Sequence, residues 1–306
     1  MGNYIAGVDI GGTYVTASLA DKEGFKFRAR QSVWLYPGKS PYSDKYHTDG
    51  RIIPEQVDFL IKFCCEETNV KKKSIDAVGI STTSPFKKKN GYSVVVSENL
   101  CGGIDKTGRV PNDWTEIPLE EELSRIYKGR ELRIENDGTA TVVAERLFGA
   151  ANGNENIVYL GWGTGIACGA WVSGVDKKGK KSSYLLTGKD GNALEIGHIA
   201  IADGPLCECG GYGHMQTLCS GEAIARDYGK STKEAFEAYN EGDKRAKEVV
   251  HKAADNFAKG LATLNATFDN KVFVIGGGVF VKNEEILLPL IKKGFREYSM
   301  HVLSEE

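Results

Sequence analysis

Tyr4-Ile-Ala-Gly-Val-Asp9-Ile-Gly-Gly-Thr13-Tyr-Val-Thr-Ala-Ser-Leu-Ala20 opens the chain with a buried strand, a glycine turn and an alternating strand that returns antiparallel. Two glycines in the turn allow the backbone to approach a ligand closely, and Asp9 and Thr13 add a carboxylate and a hydroxyl, which is how phosphate cradles are built. The same pattern returns at 157–172, where Gly161-Trp-Gly163-Thr164-Gly165 makes a glycine turn between two apolar runs. Two such units make a weak internal repeat, and two phosphate turns across a cleft make a nucleotide site. A third glycine turn, Gly276-Gly277-Gly278, follows an apolar run at Lys271–Ile275 and offers a seat for a purine or ribose.

Between these turns the chain reads as α/β. Pro54 opens a helix with Val57, Leu60, Ile61 and Cys64 on one face; Ala77–Ser81 is a short strand ending in the polar run Ser81-Thr-Thr-Ser-Pro85; Asn90–Asn112 is a long surface loop or a mobile flap. The Lys71–Lys73 and Lys87–Lys89 triplets are solvated loop tips. Leu132–Ile134 is a strand feeding Glu135-Asn136-Asp137, so Asn136 and Asp137 stand where a strand becomes a helix N-terminus, as a cap or as chemistry. Asp243–Phe268 is a core helix and Glu284–Phe295 a further one.

One stretch is dense in metal-binding side chains: Glu195-Ile-Gly-His198, then Cys207-Glu-Cys209-Gly-Gly-Tyr-Gly-His214-Met-Gln216. His198, Cys207, Cys209 and His214 make a full tetrahedral set for zinc, and a closed set leaves no open position for water, so the metal reads as structural. Glu195 and His198 also fit capping or core roles when taken alone.

Composition narrows the class. The chain has 306 residues, 41% of them apolar, enough for two compact units around real cores. Net charge is -2, which excludes a broad basic surface for nucleic acid or an anionic membrane. Mean hydropathy is -0.31, no apolar run has the length of a membrane span, and no leader precedes the first strand, so a cytoplasmic location is expected. Seven cysteines, an odd number, argue against a disulfide framework. Gly229-Lys230-Ser231 is not the end of a Walker A loop, because residue 224 is Ile where that loop needs glycine.

Taken together, Asp9-x-Gly-Gly-Thr13, Glu135-Asn136-Asp137, Gly163-Thr164-Gly165, Glu195-Ile-Gly-His198, Cys207-x-Cys209-Gly and Gly276-Gly277-Gly278 resemble, in order and over nearly the whole chain, the ROK family of sugar kinases and sugar-responsive repressors in the actin-like ATPase superfamily. The resemblance implies two ribonuclease H-like α/β domains with an interdomain cleft, here residues 1–115 as a smaller domain and 116–306 as a larger one with the zinc loop. It implies an ATP-dependent kinase acting on a hexose, with glucose at its 6-hydroxyl first and an N-acetylhexosamine second. Asp137 is similar to the catalytic base and Asn136, Glu195, His198 and Gln216 to sugar ligands. Asp9, Gly11, Gly12 and Thr13 would meet magnesium and phosphate, Gly163, Thr164 and Gly165 the phosphate tail, and Gly276, Gly277 and Gly278 the adenosine, with zinc on His198, Cys207, Cys209 and His214. A homodimer is common in the family. A sugar-responsive regulator would carry a helix-turn-helix segment before the first turn, and Asp9 leaves no room for it.

The chain departs from the family in three ways. His214 stands where a third cysteine is usual, with a spacer from His198 to Cys207 one residue shorter; Gln216 stands where a glutamate usually holds the sugar; and the chain ends soon after the Glu284 helix, before the usual helix returning to the first domain. The Gln216 amide loses a charge-assisted hydrogen bond, so a shift in sugar preference is expected.

Overall fold

Ala6, Val8 and Ile10 alternate with more exposed residues, as do Val15, Ala17 and Leu19, and each set is buried on one face of its strand. In the computed structural model, which describes residues 4–41 and 44–300, these are β1 (Tyr4–Ile10) and β2 (Tyr14–Asp21), paired antiparallel. β3 (Gly24–Ser32) extends the hairpin. The polar loop that follows carries the short ladder of β4 (Gly38–Lys39) and β5 (Tyr46–His47); its Tyr42 and Ser43 lie outside the described residues. Helix α1 (Ile52–Glu67) buries Val57, Leu60, Ile61 and Cys64, with Pro54 in its first turn, where no backbone donor is needed. β6 (Ile75–Thr82) runs parallel to β1.

β7 (Phe86–Lys89) and β8 (Tyr92–Val95) form a separate hairpin turned by Asn90 and Gly91, both at positive φ. Lys87–Lys89 are therefore strand residues, exposed on a hairpin arm rather than at a loop tip. The stretch to Asn112 is not a surface loop either. Val94, Val95, Val96, Leu100 and Cys101 are buried, and its polar groups are used internally: Asp105 accepts from the Thr107, Arg109 and Val110 amides, and Asn112 donates to the Leu35 and Leu100 carbonyls. Helix α2 (Leu119–Ile126) leads to β9 (Glu131–Asn136), parallel to β6, and completes a sheet of order β3-β2-β1-β6-β9. The first unit thus runs through Asp137 and takes in 188–192, so β9 lies with the first sheet rather than beyond a boundary at 115. Parallel pairing, which leaves no local mark in sequence, decides that.

The second unit starts with the body of α3 (Asp137–Phe148). β10 (Ile157–Trp162), buried at every residue, pairs antiparallel with β11 (Ile166–Val175), which pairs with β12 (Lys181–Leu185). Four helices follow: α4 (Met215–Cys219), α5 (Gly221–Tyr228), α6 (Thr232–Asn240) and α7 (Lys244–Phe268). β13 (Val272–Gly276) joins parallel to β10, giving the order β12-β11-β10-β13, and α8 (Gly278–Lys282) and α9 (Glu284–Tyr298) close the described chain. Trp162 stacks on Phe257 of α7 at 4.2 Å in the core. Each unit is thus a hairpin-led mixed sheet with a parallel strand beside its first strand, the repeat expected from the two glycine turns. Gly229 ends α5 at positive φ and Ser231 caps α6 in a capping box with Glu234, so the Gly-Lys-Ser triplet is helix punctuation. Among the described residues no helix is long and apolar enough to cross a membrane.

A buried acid ties α1 to the rest of the first unit. Asp58 takes an ion pair from Lys62 at 2.7 Å, one from Lys72, and a hydrogen bond from the Tyr127 hydroxyl at 2.8 Å. Burial acts to raise its carboxyl, but these partners outweigh it and hold the pKa below the usual range. The contribution to stability is therefore complete above the ordinary carboxylate range and is lost as pH falls through it and below. Asp58→Ala is expected to cost about 2–3 kcal/mol in urea unfolding at neutral pH. The deficit should shrink in acid, and a loss that is the same at both pH values would contradict the assignment.

Candidate active site

Strand pairing alone brings the polar residues of the first unit together. Asp9 is opposite Ser81 and Ser81 opposite Glu135, a rung across β1, β6 and β9 whose side chains share one face, and Ser81 Oγ donates to Asp9 Oδ1 at 3.1 Å. The next rung carries Ile10, Thr82 and Asn136. Asn136 is buried and its Nδ2 donates to Ser84 Oγ at 2.5 Å, while the Thr82 hydroxyl is buried without a protein partner. Burial pushes the Glu135 carboxyl up, with Arg133 opposing it. The turn between β1 and β2 is closed by the Gly11 amide on the Tyr14 carbonyl at 2.9 Å, and Asp9 and Thr13 are exposed on either side of it.

Asp137 follows at once as the first residue of α3, where the helix dipole favours a carboxylate. Gly138 lets this helix start lie against β11: a Cβ at Gly138 would stand 2.1 Å from the Cys168 carbonyl oxygen, so the backbones of α3 and β11 touch directly. Sequence reading placed Asp137 but not this steric anchor.

In the second unit, Gly163 donates to the Gly165 carbonyl at 3.0 Å and closes the β10–β11 turn. The start of α5 docks on it, with the Gly221 and Glu222 amides on the Gly163 and Thr164 carbonyls at 2.9 and 3.2 Å. Thr164 is left exposed at the tip. Gly277 adopts φ +87° with its Cα against Trp162, where a Cβ would meet the carbonyl oxygen at 2.4 Å. The Gly163–Gly165 and Gly276–Gly278 turns are therefore neighbours, joined through Trp162.

Glu195 and His198 flank a single 3-10 turn, Ile196–His198, entered through Leu194 at φ +68°. Beyond it, backbone bonds from Ile201 to Gly213 and from Cys207 to Gly211, at 3.1 and 2.7 Å, fold the cysteine loop back on His198. Cys207 Sγ lies 3.6 Å from His198 Nδ1 and Cys209 Sγ 3.3 Å from His214 Nδ1, and all four donors fall within 4.8 Å of one another. Zinc bonds of about 2.3 Å to sulfur and about 2.0 Å to nitrogen in a tetrahedron put sulfur and nitrogen about 3.5 Å apart, so the donor set fits. Burial lowers the pKa of both histidines, leaving neutral rings able to donate a lone pair, and burial pushes the Cys207 thiol up to about 12. A bound cation reverses that last effect.

Two further side chains belong to this loop. Glu208 lies between the two cysteines, and Gln216 Nε2 donates to Glu208 Oε2 at 3.0 Å and to Cys207 Sγ at 3.4 Å. The amide nitrogen expected to face a sugar is thus turned toward the metal donors. Glu208 went unnoticed because a residue between two cysteines reads as a spacer.

A model of the ROK family matches residues 5–306. The chain is similar to the glucokinase of Thermotoga maritima, 32% identical over 219 residues that make up 63% of this chain and 66% of that protein. It is also similar to the glucokinase of Pyrobaculum calidifontis, 30% identical over 300 residues, 94% of this chain and 83% of that protein. Among solved structures it resembles a ROK family glucokinase from Streptomyces griseus in complex with glucose and AMPPNP, with a TM-score of 0.69 and 26% identity, covering 96% of this chain and 89% of that one.

Gly138→Ala should cost about 1–3 kcal/mol in stability, because helix and strand must separate to admit the methyl group. Urea unfolding measures it, and an unchanged midpoint would show that the close backbone approach does not hold α3.

Proposed function

The chain belongs to the ROK family, and on that premise we propose that it is an ATP-dependent hexose kinase whose acceptor is the 6-hydroxyl of glucose. The observation that supports this most is the placement of Asn136 and Asp137 at the end of β9, beside the Asp9–Ser81 rung. That arrangement holds an amide for a neighbouring sugar hydroxyl, a carboxylate for the proton and a second carboxylate for the cation that accompanies ATP.

The chemistry asks little of the protein beyond position and charge. The 6-hydroxyl oxygen attacks the γ-phosphorus, the bond from that phosphorus to the bridging β-γ oxygen breaks, ADP leaves, and the hydroxyl proton passes to the Asp137 carboxylate. Because the transition state is loose, the proton moves late and an ordinary carboxylate suffices. Asn136 orients the sugar, as do Glu195 and His198, while Gln216 is left with its Oε1 for that purpose. Asp9 and Thr13 face magnesium and phosphate, Gly163, Thr164 and Gly165 the phosphate tail, and Gly276 to Gly278 the adenosine. Zinc held by His198, Cys207, Cys209 and His214 supplies no chemistry; it fixes the imidazole so that its second nitrogen faces the sugar. With ATP and hexose as substrates, the location is cytoplasmic.

A coupled ADP-release assay over hexoses and N-acetylhexosamines tests the proposal. Glucose should give the highest kcat/KM, and Asp137→Asn should lower kcat by about 10²–10⁴-fold with little change in KM. A preference for N-acetylmannosamine or N-acetylglucosamine would move the acceptor to the alternative class. No stimulation by any sugar, or full activity in Asp137→Asn, would overturn the kinase reading.

A further inference from the structure

The metal loop carries a polar contact that its four donors leave unexplained. Gln216 sits in the first turn of α4, two residues past His214, and its single amide nitrogen serves both Glu208 Oε2 and Cys207 Sγ, at 3.0 and 3.4 Å. An amide nitrogen has two hydrogens, so both are used. Glu208 Oε2 and Cys207 Sγ are themselves 3.4 Å apart, and while Cys207 keeps its proton the thiol donates to the carboxylate. A metal removes that proton. The contact then sets a thiolate against a carboxylate, and the Gln216 amide is a group that lies against both.

The other end of the side chain points elsewhere. A Cβ at Gly197 would stand 3.1 Å from Gln216 Oε1, and one at Gly165 3.8 Å. Gln216 therefore reaches from the metal donors to the 3-10 turn that bears His198 and to the glycine turn after β10.

We infer that Gln216 is a positioning residue that bridges the Cys207 thiolate and the Glu208 carboxylate, setting how strongly Cys207 holds the metal and, through the same metal, how His198 is presented. This rests on the proposed kinase and its zinc. It also gives the amide at 216 a reason that sugar contact does not: both of its partners are acceptors, and a carboxylate has no hydrogen to offer either of them. A hydrogen bond to a metal-bound thiolate draws electron density from sulfur, which is visible in the metal's spectrum as well as in its affinity.

The test uses the full chain loaded with zinc or, for spectroscopy, with cobalt(II). Gln216→Met keeps the length and apolar bulk of the side chain but removes the donor. It is expected to move the sulfur-to-cobalt charge-transfer band to lower energy and to weaken zinc retention against a chromogenic chelator by about 10–100-fold. Adding Glu208→Gln returns an amide donor to within reach of Cys207 Sγ, so the double variant should recover the band position and most of the zinc affinity. A structural defect at position 216 would not be rescued in this way. Unchanged band and affinity in Gln216→Met, or no recovery in the double variant, would overturn the inference while leaving the metal centre in place. Wild-type protein that binds neither metal would remove the metal centre, and the inference with it.

Discussion

Four side chains able to hold a metal converge in a loop that has almost no core of its own. Residues 202–206 are exposed, and Leu206 and Tyr212, which bridge across the loop, are 53% and 67% exposed. Burial of these residues does little to fix the segment, and backbone bonds from Ile201 to Gly213 and from Cys207 to Gly211 join its two arms. A cation bound by His198, Cys207, Cys209 and His214, as proposed, would supply the missing constraint, since metal binding in such loops is itself folding free energy. Because His198 is also proposed to face the sugar, whatever holds the loop also holds one wall of the substrate site.

Elsewhere the same need for fixed geometry is met by backbone contact. Asp137 is placed by Gly138 against Cys168, and the Gly163–Gly165 turn by Trp162, Gly277 and the first amides of α5. In each case a side chain would intrude on the approach. The residues proposed to act on the substrates are set on strand ends and helix starts whose positions follow from sheet register, and the proposed role of Asp137 asks only for an ordinary carboxylate there. A loose phosphoryl-transfer transition state is compatible with that economy.

How much was legible follows from the range of the signals involved. The two hairpins could be read because Ala6, Val8 and Ile10, or Ile157–Leu160, carry their burial pattern locally. The convergence of His198, Cys207, Cys209 and His214 was legible for the same reason, since their spacing is short. β9 was assigned to the wrong side of a boundary because its parallel partner β6 is about fifty residues away and alternation does not name partners. The segment after β8 looked like a solvated loop because its Asp105 and Asn112 are polar, yet both spend that polarity on backbone groups. Asn90-Gly91 was a hairpin signal present in the sequence and passed over. The Gln216–Glu208 contact depends on side-chain direction, which spacing does not encode.

The account turns on the link between the metal and the sugar, and one titration addresses it. Glucose and a non-hydrolysable ATP analogue are titrated calorimetrically into zinc-loaded protein and into protein stripped by a chelator. Stripping is predicted to weaken glucose binding by about tenfold or more while leaving the nucleotide affinity unchanged. Equal glucose affinity in the two forms would contradict the account.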